Sequence, residues 1–122
     1  MSVIPKLKFL LGHTGETLPY LLWRLPCDSV QRRRKALKPA EIIRRNVAIT
    51  TAGMFSDSPL LCALRELGED AVMFSVDHPF EGMATASKWF DDAPISASVS
   101  REDLIRHRDR ILKETGDGGM RK

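Results

Sequence analysis

Apolar positions along this chain switch repeatedly between short unbroken runs and helical spacing. Lys6 to Leu11 carries Leu7, Phe9, Leu10 and Leu11 ahead of Gly12 and predicts a short buried strand. Thr14 through Arg24 predicts a helix, with Thr17 as its N-cap, Pro19 in its first turn and Leu18, Leu21, Leu22 and Leu25 at helical spacing before Pro26 stops it. Pro39 to Arg45 predicts a second, short helix. Val47 to Thr51, partly β-branched and bounded by Gly53, predicts a second strand. Asp57 or Ser58 can cap the next helix, with Pro59 in its first turn, Leu60, Leu61, Leu64 and Leu67 on one face and Gly68 at its end. Ala71 to Val76 forms the third apolar run, Ala84 to Phe90 a further helix, and Arg101 to Lys113 a last, charged one.

Strand and helix alternating in this way imply parallel strands joined by right-handed crossovers, the repeating unit of α/β folds. One domain over residues 1–113 is expected, with 114–122 as a flexible tail. The 122 residues are 43% hydrophobic, enough for an ordinary core, and the net charge of +3 makes no demand for nucleic acid or membrane. Cys27 and Cys62 form no CxxC pair and the chain reads without a signal peptide, so a soluble cytoplasmic protein with reduced thiols is expected.

A polar cluster follows each predicted strand. In parallel α/β architectures the carboxyl ends of the strands carry the chemistry, because loops converge there while the strands fix their positions. His13, Thr50 with Thr51, and Asp77 all fall on that face. His13 and Asp77 could form a metal-binding pair or an acid/base pair: imidazole and carboxylate each ligate divalent ions and each carry protons.

The wording around these residues is more specific than their spacing. GHTGETLPYLLWRL, then NVAITTAGMFS, then AVMFSVDHPFE with SKWFDDAPIS, resembles the carboxyl-terminal part of the amidohydrolase-related metal-dependent decarboxylases, with the greatest likeness to the γ-resorcylate and 2,3-dihydroxybenzoate decarboxylases. The likeness runs from about Leu7 to Ser96. It implies an α/β fold made of the last three β/α units of an amidohydrolase-type (β/α)8 TIM barrel, an incomplete barrel. It further implies that His13 contacts substrate, that Glu16 partners and orients it, and that Asp77 is both a metal ligand and the proton donor to the aromatic ring carbon. Arg24 and Phe80 match positions near the substrate pocket. The implied activity is non-oxidative decarboxylation of hydroxylated benzoates by a carboxy-lyase using Zn or Mn.

The sequence also departs from that pattern. The family's Glu-x-His or His-x-His strand and its strand-5 histidine are missing, since His13, His78 and His107 are the only histidines, and LIRHRDRILK replaces a Gly-Arg-x-Asn-Ala segment. A truncated barrel, inactive and weak in metal binding by itself, is therefore expected. Its open strand edges and apolar face would favour a homo-oligomer or association with a full-length homologue; a non-catalytic interaction module is the alternative. QRRRK, Gln31 to Lys35, reads as a solvated loop, Trp23 and Trp89 as packing residues, and Cys62 as a small buried hydrophobe.

Overall fold

The computed structural model describes residues 8–25 and 39–95 and, beyond these, 102, 104, 106, 107, 110, 111 and 113. Strands β1 (Phe9–Leu11), β2 (Val47–Thr50) and β3 (Val72–Met73) form one sheet in the order β1-β2-β3. Both pairings are parallel, with Leu11 opposite Ile49 and Thr50 opposite Met73. Parallel neighbours cannot be joined by a tight turn, so each strand hands on to helix: α1 (Leu18–Leu21) and α2 (Pro39–Asn46) lie between β1 and β2, α3 (Asp57–Leu67) joins β2 to β3, and α4 (Met83–Asp92) follows β3. Glu102, Leu104, Arg106, His107, Arg110, Ile111 and Lys113 are also helical, as the apolar pattern predicts.

Period-2 alternation distributes the strands between two faces. Ile49 and Val72 pack with Leu22, Leu60, Ala63, Leu67, Phe74, Ala86, Phe90 and Leu104 in the main core. Ala48 and Met73 turn to the opposite face and meet Ile111, so that face is covered in part by the chain's own last helical residues. β1 lies at one edge of the sheet and, among the described residues, nothing pairs with its outer side; Phe9 is 53% and Leu10 49% exposed. Arg44 ties α2 to α3 by donating from Nε to the Glu66 carbonyl at 2.6 Å. No helix among the described residues is long and apolar enough to cross a membrane.

Several boundaries differ from the apolar pattern, for physical reasons. The helix expected over Thr14–Arg24 is broken into a 3-10 turn (His13–Gly15), α1 and a second 3-10 turn (Leu22–Arg24). His13, Thr14 and Glu16 all take left-handed φ values of 49°, 54° and 54°, which no continuous right-handed helix can contain. Thr17 sits at the N-cap position of α1 without a capping hydrogen bond. Ser56, rather than Asp57 or Ser58, is the N-cap residue of α3. The Asp57 carboxylate is instead used by Trp89, whose Nε1–H donates to it at 2.9 Å and whose ring packs on Phe55 and Phe90. Trp23, expected to pack, is 83% exposed: it follows the buried Leu22 in a 3-10 turn, where adjacent side chains diverge by about 120°, and Leu22 takes the inward direction. The third run yields only Val72–Met73 as ladder, and Phe74 to Val76 continue without it. Lys6, Leu7, Cys27, the QRRRK loop and the tail lie outside the described residues.

Candidate active site

Three turns meet at the carboxyl ends of the strands. After β1, the chain swings through the left-handed residues 13 to 16 and brings the Glu16 carboxylate back onto the His13 ring, with Nδ1 2.9 Å from Oε1. A carboxylate accepts but does not donate, so this contact places a proton on Nδ1 and leaves Nε2 facing away from Glu16. On that side lies Asp77, its Oδ2 3.6 Å from His13 Nε2. This is an electrostatic contact rather than a hydrogen bond. Asp77 has a φ of 77°, so the loop after β3 is also held in a conformation that L-residues adopt at a cost.

The turn after β2 completes the arrangement from below. The His13 N–H donates to the Ala52 carbonyl at 3.0 Å, fixing the start of one turn on the other. Gly53, at φ +67°, lies directly under the pair: a Cβ there would meet His13 Cδ2 at 2.8 Å, His13 Nε2 at 3.0 Å and Asp77 Oδ2 at 3.1 Å. Only glycine fits both the conformation and the space. His13 and Asp77 are thus brought together as the strand-end argument expects, and Glu16, named by the resemblance alone, joins them. Their side chains remain 48%, 68% and 35% exposed, so the face is open to a ligand.

The other candidates fall differently. Thr50 stays beside the turn, its Oγ1 accepting from the Ala52 N–H at 3.4 Å, whereas Thr51 is wholly buried. Phe80 is 84% exposed in the turn after Asp77, its N–H donating to the Asp77 carbonyl at 2.9 Å, and Arg24 ends the second 3-10 turn with an exposed side chain. His78 is exposed next to Asp77. His107 lies away from the site, with Nε2 3.3 Å from Asp70 Oδ1 ahead of β3. Cys62 is half-buried and, with Thr14, Glu16, Pro19, Tyr20 and Ser58, lines an open cleft of about 290 Å³. Gly53 is the residue that the apolar pattern misses; its signal is a glycine three positions beyond a strand end, which pattern alone does not distinguish from a strand stop.

The donor set suits part of a metal site and not a whole one. Among the described residues, no group of three or more His, Cys, Asp or Glu side chains could hold a metal ion. His13 Nε2 and Asp77 offer two donors, where an ordinary catalytic zinc site takes three protein ligands.

No protein-family model matches the chain. A gamma-resorcylate decarboxylase from Rhizobium sp. (strain MTP-10005) is 37% identical over 107 residues, covering 84% of this chain and 32% of that relative. A crystal structure of 2,6-dihydroxybenzoate decarboxylase complexed with 2,6-dihydroxybenzoate superposes with a TM-score of 0.78 at 34% identity, over 89% of this chain and 35% of that one. A dihydroxybenzoic acid decarboxylase from Polaromonas sp. JS666, solved with bound manganese and the inhibitor 2-nitroresorcinol, gives 0.75 at 31% identity, over 88% of this chain and 34% of that one. The chain spans about a third of the length of the relatives it matches.

Proposed function

We propose that this chain, which belongs by homology with the amidohydrolase-type hydroxybenzoate decarboxylases and matches a carboxyl-terminal portion of them, supplies the proton-transfer side of such a decarboxylase site. Its three parallel strands correspond in this reading to the last three of a (β/α)8 barrel, and residues outside the chain complete the active site. The observation that carries the reading is the convergence of His13, Glu16 and Asp77 at the strand ends, in a chain 89% of which is covered by the match to one of those enzymes.

Asp77, as the acid, delivers its proton to the ring carbon that bears the carboxylate. The bond to the carboxylate then breaks, its electron pair returns to the ring, CO2 leaves, and Asp77 remains as a carboxylate until solvent reprotonates it. His13 faces the same space with Nε2 and contacts the substrate, while Glu16 holds the ring in one tautomer and orientation. Arg24 and Phe80 are assigned to the approach to the pocket. A hydroxylated benzoate is the substrate class, and the soluble cytoplasm is the proposed compartment.

The two donors found among the described residues are too few for a resident ion, and Asp77 is assigned one ligand position in a metal site whose remaining ligands lie outside the described residues. The 122-residue chain alone, dialysed after exposure to Zn²⁺ or Mn²⁺, is expected to retain far less than one ion per chain by elemental analysis. A tightly held stoichiometric ion would show that the site is complete within it.

The reading is tested by replacing the corresponding third of a homologous decarboxylase with this chain and assaying CO2 release from 2,6- and 2,3-dihydroxybenzoate. In that chimera Glu16→Gln is expected to lower turnover by roughly 10- to 100-fold while leaving metal content unchanged, the usual size of losing an orienting partner. A folded, metal-loaded chimera without decarboxylation would reject the assignment. The exposed Phe9 and Leu10 on the edge of β1 favour a second reading, a non-catalytic module that associates with a full-length homologue through that edge.

A further inference from the structure

We infer that Thr51 is the positioning residue that sets Asp77 opposite His13. The last register pair between β2 and β3 is Thr50 with Met73, and the Thr51 N–H completes it by donating to the Met73 carbonyl at 3.0 Å. In a regular parallel ladder the Thr51 carbonyl would serve the next rung. Here that carbonyl accepts instead from the Met54 N–H at 2.9 Å, closing the turn that carries Gly53 beneath His13. The Thr51 hydroxyl takes over the missing rung: Oγ1 donates to the Ser75 carbonyl at 2.8 Å and accepts from the Ser75 N–H at 3.0 Å.

One residue therefore forks the sheet. Its backbone turns away to build the support under His13, and its side chain continues the pairing to Ser75, two residues before Asp77. Thr51 is 0% exposed, so no water can substitute for the hydroxyl without opening the core. Valine has nearly the same shape but leaves both Ser75 backbone groups without a partner in a half-buried place, and the segment should relax away from β2. The inference rests on the proposed function only in treating the His13–Asp77 pair as the site.

The test reads geometry rather than turnover, so it can fail while the functional reading stands, and the reverse. In the full chain, Asp77→Asn is expected to shift the His13 imidazole ¹⁵N resonances, because the charge beside Nε2 is removed. In a Thr51→Val background the same substitution should shift them much less, and the Ser75 amide should exchange with solvent about tenfold faster while core amides such as Ile49 keep their protection. Thr51→Ser, which keeps the hydroxyl, should restore both readings. An undiminished Asp77→Asn response in folded Thr51→Val would overturn the proposal. Should Thr51→Val not fold, the unmodified chain decides: a Ser75 amide exchanging as fast as a solvated loop amide overturns it, and a protected one that Thr51→Ser preserves supports it.

Discussion

Asp77→Asn, introduced into a homologous barrel carrying this chain, is expected to remove decarboxylation, with turnover down by roughly 10²- to 10⁴-fold, the usual contribution of a placed general acid. Asparagine is nearly isosteric with the acid form and can still occupy the left-handed φ of 77°, so the loop after β3 should keep its course. What is lost is the proton that the acid form gives and the negative charge that the carboxylate form holds beside His13 Nε2. Single-turnover measurement of CO2 release, with metal content determined on the same sample, separates the two losses. A residual rate near the parent's at full metal occupancy would show that Asp77 is a ligand or a neighbour of the reaction and not its acid.

Much of this arrangement was legible in the sequence because parallel sheets put their chemistry in a predictable place. Three apolar runs separated by helical spacing implied three parallel strands. Each run is followed by a polar residue that the topology must send to one end, and His13 with Asp77 arrived there. Glu16 was legible from likeness to a family; its contact with His13 needs four consecutive residues at positive φ, three of them not glycine, a path that propensities do not favour. The same turn explains why leucine spacing from Leu18 to Leu25 overstated the helix: periodicity reports which side chains are apolar, not whether the backbone ahead of them is free to wind. Trp23 failed for a related reason, since an exposed tryptophan beside a buried leucine cannot be told from a packed one by residue type. Thr51 was correctly sent to the site's end of the sheet, yet its burial and its hold on Ser75 depend on where β3 stops, which no local pattern encodes.

Gly53→Ala should separate positioning from chemistry most sharply, because every residue that carries a proton is left intact. An alanine Cβ would lie 2.8 Å from His13 Cδ2, closer than such atoms pack, and 3.1 Å from Asp77 Oδ2, a tight contact, and its backbone would be forced into φ +67°. The conformational part costs roughly 1–2 kcal/mol. That is a fraction of the ~5–15 kcal/mol that typically holds a domain together, so the sheet should survive with a lowered melting temperature. The steric part cannot be relieved by Gly53 itself, since the Ala52 carbonyl anchors this turn to the His13 N–H at 3.0 Å. The imidazole, and to a lesser degree the carboxylate, must therefore shift. A displacement of about 1 Å at reacting groups typically costs about 10²-fold in rate, and the chimera is expected to lose that much in kcat with KM changed far less. Full activity in Gly53→Ala would mean that the turn after β2 bends freely and that the spacing of His13 and Asp77 is set elsewhere.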